Sequence, residues 1–241
     1  MGGGHLESAD YTFGDGWDRD GRGQDSQRII VLEETAIMNR EQALGIVNRY
    51  ITNPNMLKHM LATEVVMRAL GRRFGEDEDR WGLAGLLHDA DAEIATSEGK
   101  EFAVPKRTGN GPTPAGKHAA MAAQGLLVPK LTQDALDEEI AAAIASHNPY
   151  TGIKPQGRMG WALYAADPLT GLIVASALVL PDKKLASLTT ESVLKRFAEA
   201  RFAKGANREQ IAACSELGVT LEEFIEVGLT AMKAIAGDIG L

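Results

Sequence analysis

A chain of 241 residues with 44% hydrophobic and 24% charged side chains can bury one medium-sized core, and its aromatic-poor make-up (5%), rich in Ala and Leu, favours helix over sheet. The single cysteine, Cys214, excludes an internal disulfide and any cysteine-rich zinc or iron–sulfur site, and reads as a small core residue. Net charge is −8, but residues 1–37 hold eight acids and three bases; the other 204 residues carry only −3, which argues against a general nucleic-acid-binding surface.

Residues 1–28 contain seven glycines and scattered aspartates without periodicity, and residues 1–37 are predicted to be a flexible tail or leader. His5 belongs to that tail and receives no role. Arg28–Leu32 could add one short strand, and Met38 opens the folded domain, 38–241. No basic, apolar signal segment starts the chain. The long apolar run Gly160–Leu180 is interrupted by Asp167-Pro168, which suits a buried core helix better than a membrane span, so the cytoplasm is the expected compartment.

From Met38 onward the pattern is helical. Asn39 with Gln42 is a capping-box pattern opening a helix to about Ile51. A second helix runs from about Asn55 to Phe74, ended by Gly75, and a third covers Glu76–His88. Gly99–Gly116, rich in Gly, Pro, Thr and Lys, is predicted to be a long loop able to move as a lid. Helices resume at Pro114–Leu127, Thr132–Ser146, Gln156–Leu180 (with Pro168 as a place to kink), Thr189–Ala203, Asn207–Leu217 and Thr220–Ile239. Asn207 with Gln210 and Thr220 with Glu223 are two more capping-box patterns. The fold class is an all-α bundle of about eight or nine helices.

The stretch Gly82-Leu83-Ala84-Gly85-Leu86-Leu87 carries small and apolar residues straight into His88-Asp89. Helical spacing then shows where the other imidazoles look. His59 shares its face with Ala62, Thr63, Val66 and Leu70, and His118 shares its face with Met121, Ala122 and Gly125. His147 follows Ile140, Ala143 and Ile144, and Asp167 lies with Gly160, Leu163, Thr170 and Val174. Taken singly, each is an ordinary hydrogen-bonded core residue or helix cap. Taken jointly, four inward imidazoles and two inward carboxylates need one common partner, and a cation removes the desolvation cost for all six. The histidines are 29, 30 and 29 residues apart, about one helix plus a connection each time, so successive helices can offer a ligand at one depth of a bundle.

These residues resemble the HD-domain superfamily of metal-dependent hydrolases, whose signature of a His, then His-Asp, then a later Asp matches His59, His88-Asp89 and Asp167. His118 and His147 match the extra histidines of its dinuclear members. The C-terminal third, with Asp182-Lys183-Lys184 and Ser192–Phe197, is similar to a group of small bacterial predicted HD hydrolases. Ala90-Asp91-Ala92-Glu93 stands where the cyclic-dinucleotide phosphodiesterase and oxygenase branches often carry a Lys, and the Gly-Tyr-Pro signature of the former is absent.

The resemblance implies one metal on His59, His88, Asp89 and Asp167, and a second on bridging Asp89 with His118 and His147. Mn, Fe, Co, Ni or Zn would suit such ligands. Two ions would lower the pKa of a shared water and clamp a phosphoryl group, with Asp91 or Glu93 orienting that water or taking its proton. Lys106, Arg107, Lys117, Arg158, Lys183 and Lys184 are the candidate substrate-binding cations. The expected function is phosphomonoester or phosphodiester hydrolysis of a nucleotide or small phosphorylated metabolite. A mixed-valent di-iron oxygenase and a non-catalytic metal-binding sensor are the alternatives.

Overall fold

A computed structural model describes residues 38–97, 125–132 and 136–241, with the side chains of 95–97 left out. The expectations placed on residues 1–37, on the loop from Gly99 to Gly116, and on Lys106, Arg107, Lys117 and His118 lie outside the described residues.

The first helices start where the sequence places caps. Asn39 accepts from the Gln42 amide (2.9 Å) and Gln42 Oε1 accepts from the Asn39 amide (2.9 Å), opening α1 (Arg40–Tyr50). Asn53 caps α2 (Pro54–Phe74), whose first residue is a proline that needs no N–H there. Gly75, at φ +69°, ends α2 in the left-handed region that a glycine enters without steric cost. Asp77 caps α3 (Glu78–Leu87), and every residue from Trp81 to Leu87 is buried. α3 therefore lies inside the bundle rather than on it.

Small residues let α3 lie close along α2. A Cβ at Gly85 would stand 2.7 Å from the Thr63 carbonyl oxygen, and one at Gly82 would stand 2.7 Å from Arg68 Nε. On the outer side of the same pair, the buried Glu64 accepts from Arg40 (2.6 and 2.9 Å) and Arg68 (3.0 Å). A buried carboxylate needs such partners.

A short helix not expected from the sequence, α4 (Ala92–Ser97), follows His88-Asp89. Then come α5 (Val128–Leu131), α6 (Glu138–His147), a 3-10 turn at Pro149–Thr151 and α7 (Gly157–Leu178). α7 packs on α6 and α2 and is buried along most of its length, Asp167-Pro168 included in one continuous helix. It is long and apolar enough to cross a membrane, but more than half of its most apolar stretch is covered by the protein itself. The later helices are α8 (Thr190–Ala198), α9 (Arg208–Ala212), α10 (Leu221–Ala234) and α11 (Ala236–Ile239), with 3-10 turns at Leu185–Ser187 and Ala213–Leu217. α8 stops five residues short of the expected end, and the expected single helices 207–217 and 220–239 are each divided in two. The class is all-α, and no strand occurs among the described residues.

Candidate metal centre

α2, α3 and α6 each bring one imidazole to the same place, and the tautomer of each is fixed. His88 Nδ1 lies 2.8 Å from the Gly85 carbonyl and His147 Nδ1 lies 2.6 Å from the Ile144 carbonyl. A carbonyl only accepts, so both Nδ1 atoms carry the proton. His59 Nδ1 meets Thr170 Oγ1 at 3.0 Å, and the Thr170 hydroxyl donates to the Asp167 carbonyl at 2.8 Å, leaving a lone pair for His59 Nδ1–H. In the neutral imidazoles the Nε2 lone pairs are thereby left for a ligand, with those of His59 and His88 facing each other and that of His147 turned to Asp89. The Nε2 atoms of His59 and His88 are 3.2 Å apart.

Two carboxylates complete the cluster. Asp89 Oδ1 is 3.4 Å from His147 Nε2, and its Oδ2 is 3.5 Å from His88 Nε2 and 3.8 Å from His59 Nε2. Asp167 Oδ1 is 3.0 Å from His59 Nε2 and 3.8 Å from His88 Nε2. Donors about 2.1 Å from one transition-metal ion at tetrahedral or octahedral angles stand roughly 3.0–3.4 Å apart. The spacing found here fits that set, and the donor atoms of His59, His88 and Asp89, and of His88, His147 and Asp167, each form a mutually close group. Five of the six expected ligands are thus brought together; the sixth, His118, lies outside the described residues.

The electrostatics of the cluster follow from the same contacts. Burial pushes His88 down to about 4, so it is neutral. Burial also opposes charge on His147, but the hydrogen bond and charge of Asp89, helped by Asp167, raise it to about 9. His59 is likewise raised against burial by Asp167 and then Asp89. Burial opposes ionisation of Asp89 and Asp167, yet the imidazoles hold both carboxyls below their ordinary range. A proton shared with His147 occupies the role that a metal cation would take.

The residues just past the His-Asp pair hold the frame. Asp91, fully buried, accepts from the Gly125 amide (2.8 Å) and the Leu127 amide (2.9 Å), one on each oxygen; burial raises its pKa to about 6. Gly125, at φ +84°, fits over His147: a Cβ there would meet the Ile144 carbonyl at 2.6 Å and His147 Cε1 at 3.0 Å. Glu93 accepts from Thr52 N (2.9 Å), Thr52 Oγ1 (2.6 Å) and Asn53 N (2.8 Å) at the entrance to α2. In this geometry both acids, expected to serve the reacting water, tie backbone segments together.

Gln210 is a site residue that the sequence reading missed. Asn207 does cap α9, but the Gln210 side chain turns away from it and donates to the carbonyls of His147 (3.2 Å) and Tyr164 (3.4 Å). The Tyr164 carbonyl lacks its helical donor because Pro168 has no N–H, and the His147 carbonyl lies at the end of α6. One buried amide serves two orphan carbonyls beside two ligand residues.

Asp89, His147 and Asp167 open into a cleft of about 1050 Å³, whose other walls are Asn148–Tyr150, Pro168, Ala200 and residues 204–210. Arg158, Lys183 and Lys184 do not line it. Arg158 pairs with Glu76 (2.7 Å) over the Phe74 ring, and the two lysines are exposed in the turn after α7.

The sequence model of one protein family, described as HD domain, matches residues 56–178, a span that includes His59, His88, Asp89, His118, His147 and Asp167. A search of the curated proteins finds no match.

Proposed function

The chain belongs to the HD domain family, and on that footing we propose that it is a phosphohydrolase cleaving a phosphomonoester or phosphodiester in a nucleotide or small phosphorylated metabolite. The observation that carries this reading is the convergence of three imidazole Nε2 atoms with two carboxylates in a cluster that opens into a cleft through Asp89, His147 and Asp167. His59, His88, Asp89 and Asp167 would hold one divalent transition metal, Mn, Fe, Co, Ni or Zn, with His147 and His118 available for a second. Bound there, such an ion supplies Lewis acidity that activates water and neutralises a phosphoryl oxygen.

The chain's own part is preorganisation. Gly85, Ile144 and Thr170 fix the three tautomers, so no imidazole has to rotate or tautomerise before it ligates. Asp89 presents one oxygen towards His147 and the other towards His88 and His59, the disposition a bridging carboxylate needs. The partner is a small molecule rather than a nucleic acid, and the setting is the cytoplasm.

The test is turnover of a broad phosphomonoester and phosphodiester panel by the purified chain loaded with Mn²⁺, Co²⁺ or Ni²⁺, with metal counted per chain. Metal-dependent cleavage lost in Asp89→Ala supports the proposal. No turnover across the panel, with Asp89→Ala still binding two metals, removes it. An iron-loaded chain with a mixed-valence electron paramagnetic resonance signal transfers the site to oxygenase chemistry.

A further inference from the structure

Part of the cleft wall is built by residues beyond the matched span. Between α8 and α9, residues 199–206 leave the helical path, and Arg208 holds them there. Its Nε donates to the Phe197 carbonyl (3.2 Å), its Nη1 to Ala203 (3.1 Å) and Ala206 (2.6 Å), and its Nη2 to Arg196 (3.2 Å) and Phe202 (2.8 Å). A guanidinium has five N–H donors, and here five main-chain carbonyls take them. Arg208 lines the cleft but has no donor left for a ligand.

That segment also carries backbone strain. Ala203 sits at φ +43°, a left-handed conformation that a residue with a Cβ adopts only against steric cost. Strain of this kind persists where the surroundings impose it, and it collects at functional sites. What the segment presents to the cleft is the next residue, Lys204. It is exposed and has no ion-pair partner among the described residues. The acids lining the same cleft are Asp89, Asp167 and Glu209, so Lys204 is the one uncommitted cation among its described walls.

We propose that Lys204 binds a phosphate group of the substrate. The proposal rests on the phosphohydrolase reading and names the residue that recognises the anion. An ammonium is a compact charge with three donors, suited to clustered phosphate oxygens, and the cleft is of the size that encloses a whole nucleotide-sized molecule. Arg208 is the positioning residue that sets the loop.

The experiment is calorimetric titration of inorganic phosphate into the Mn²⁺-loaded full chain, comparing the native protein with Lys204→Ala, Lys204→Arg and Arg201→Ala. Arg201 is an exposed cation of the same segment outside the cleft lining. Lys204→Ala is expected to weaken phosphate binding about tenfold, the scale of one charge-assisted contact, with unchanged Mn²⁺ per chain and unchanged melting temperature. Lys204→Arg should stay within about threefold of native, and Arg201→Ala within about twofold. Equal losses in Lys204→Ala and Arg201→Ala mean a long-range charge effect and overturn the proposal. Native affinity in Lys204→Ala overturns it too, while leaving the phosphohydrolase reading standing. A native chain that binds Mn²⁺ but no phosphate removes both.

Discussion

His59 Nε2 and His88 Nε2 lie 3.2 Å apart with both Nδ1 protons already given away, so two lone pairs point at one another across a gap that only a proton or a metal ion relieves. Metal should therefore stabilise the fold as well as enable chemistry. At a free Mn²⁺ concentration a hundredfold above the dissociation constant, the gain is about 2.7 kcal/mol. Thermal unfolding with Mn²⁺ against EDTA measures it, and His88→Ala should abolish the increment.

The metal-free chain should lose stability with rising pH in a defined window. Folded, it keeps a proton on His147 up to about pH 9; unfolded, that proton leaves near the ordinary 6.5. The folded state thus binds more protons between these values. The contribution, of the order of 3 kcal/mol, is complete below pH 6.5 and gone above pH 9. Melting temperatures of EDTA-treated protein at pH 6.5 and 9 give the sign directly. The metal-loaded chain should show a shallower dependence, and metal uptake near pH 7.5 should release a proton.

Two glycines should respond to alanine in opposite directions. Gly85→Ala drives a methyl against the Thr63 carbonyl and Glu64 backbone, which cannot swing aside, and should cost about 1–3 kcal/mol. It also displaces the carbonyl that orients His88, so metal affinity should fall with it. Gly171→Ala meets no atom within 4 Å in the middle of α7 and should add about 0.5–1 kcal/mol through helix propensity. Denaturant midpoints of the two variants make the comparison.

Asp91→Asn separates a framework role from a catalytic one. An asparagine keeps one acceptor oxygen and turns an amide NH2 towards the other backbone N–H, for a loss of about 1–3 kcal/mol. Any fall in turnover should then track metal occupancy and recover at high metal concentration. A drop of a hundredfold or more in kcat at full occupancy would instead return Asp91 to proton transfer.

Much of the site was legible because its residues contradict their surroundings. His59, His88, Asp89, His147 and Asp167 sit on faces of small and apolar residues, and helical spacing alone turns those faces inward. The Asn39/Gln42 and Thr220/Glu223 caps were legible because both partners lie within one turn. Asn207/Gln210 shows the same local pattern and differs, because the orphan carbonyls of His147 and Tyr164 come from other helices and claim the amide. Charge was a poor guide to the cleft. Arg158 is claimed by Glu76, far away in sequence, and the last turn of α8 gives the carbonyls of Arg196 and Phe197 to Arg208, in the next helix. Long-range pairings of that kind leave no periodicity to read.

The proline inside α7 has a consequence for descent. By deleting one N–H, Pro168 creates a vacancy at the Tyr164 carbonyl that Gln210, on a separate helix outside the matched span, comes to fill. Neither residue is a ligand, yet each makes the other worth keeping. In a lineage where position 168 carries a residue with an amide proton, the Tyr164 carbonyl is served within its own helix, and the glutamine is left with the His147 carbonyl alone. A proline at 168 should therefore come with an amide donor at 210, whereas the donor can outlast the proline.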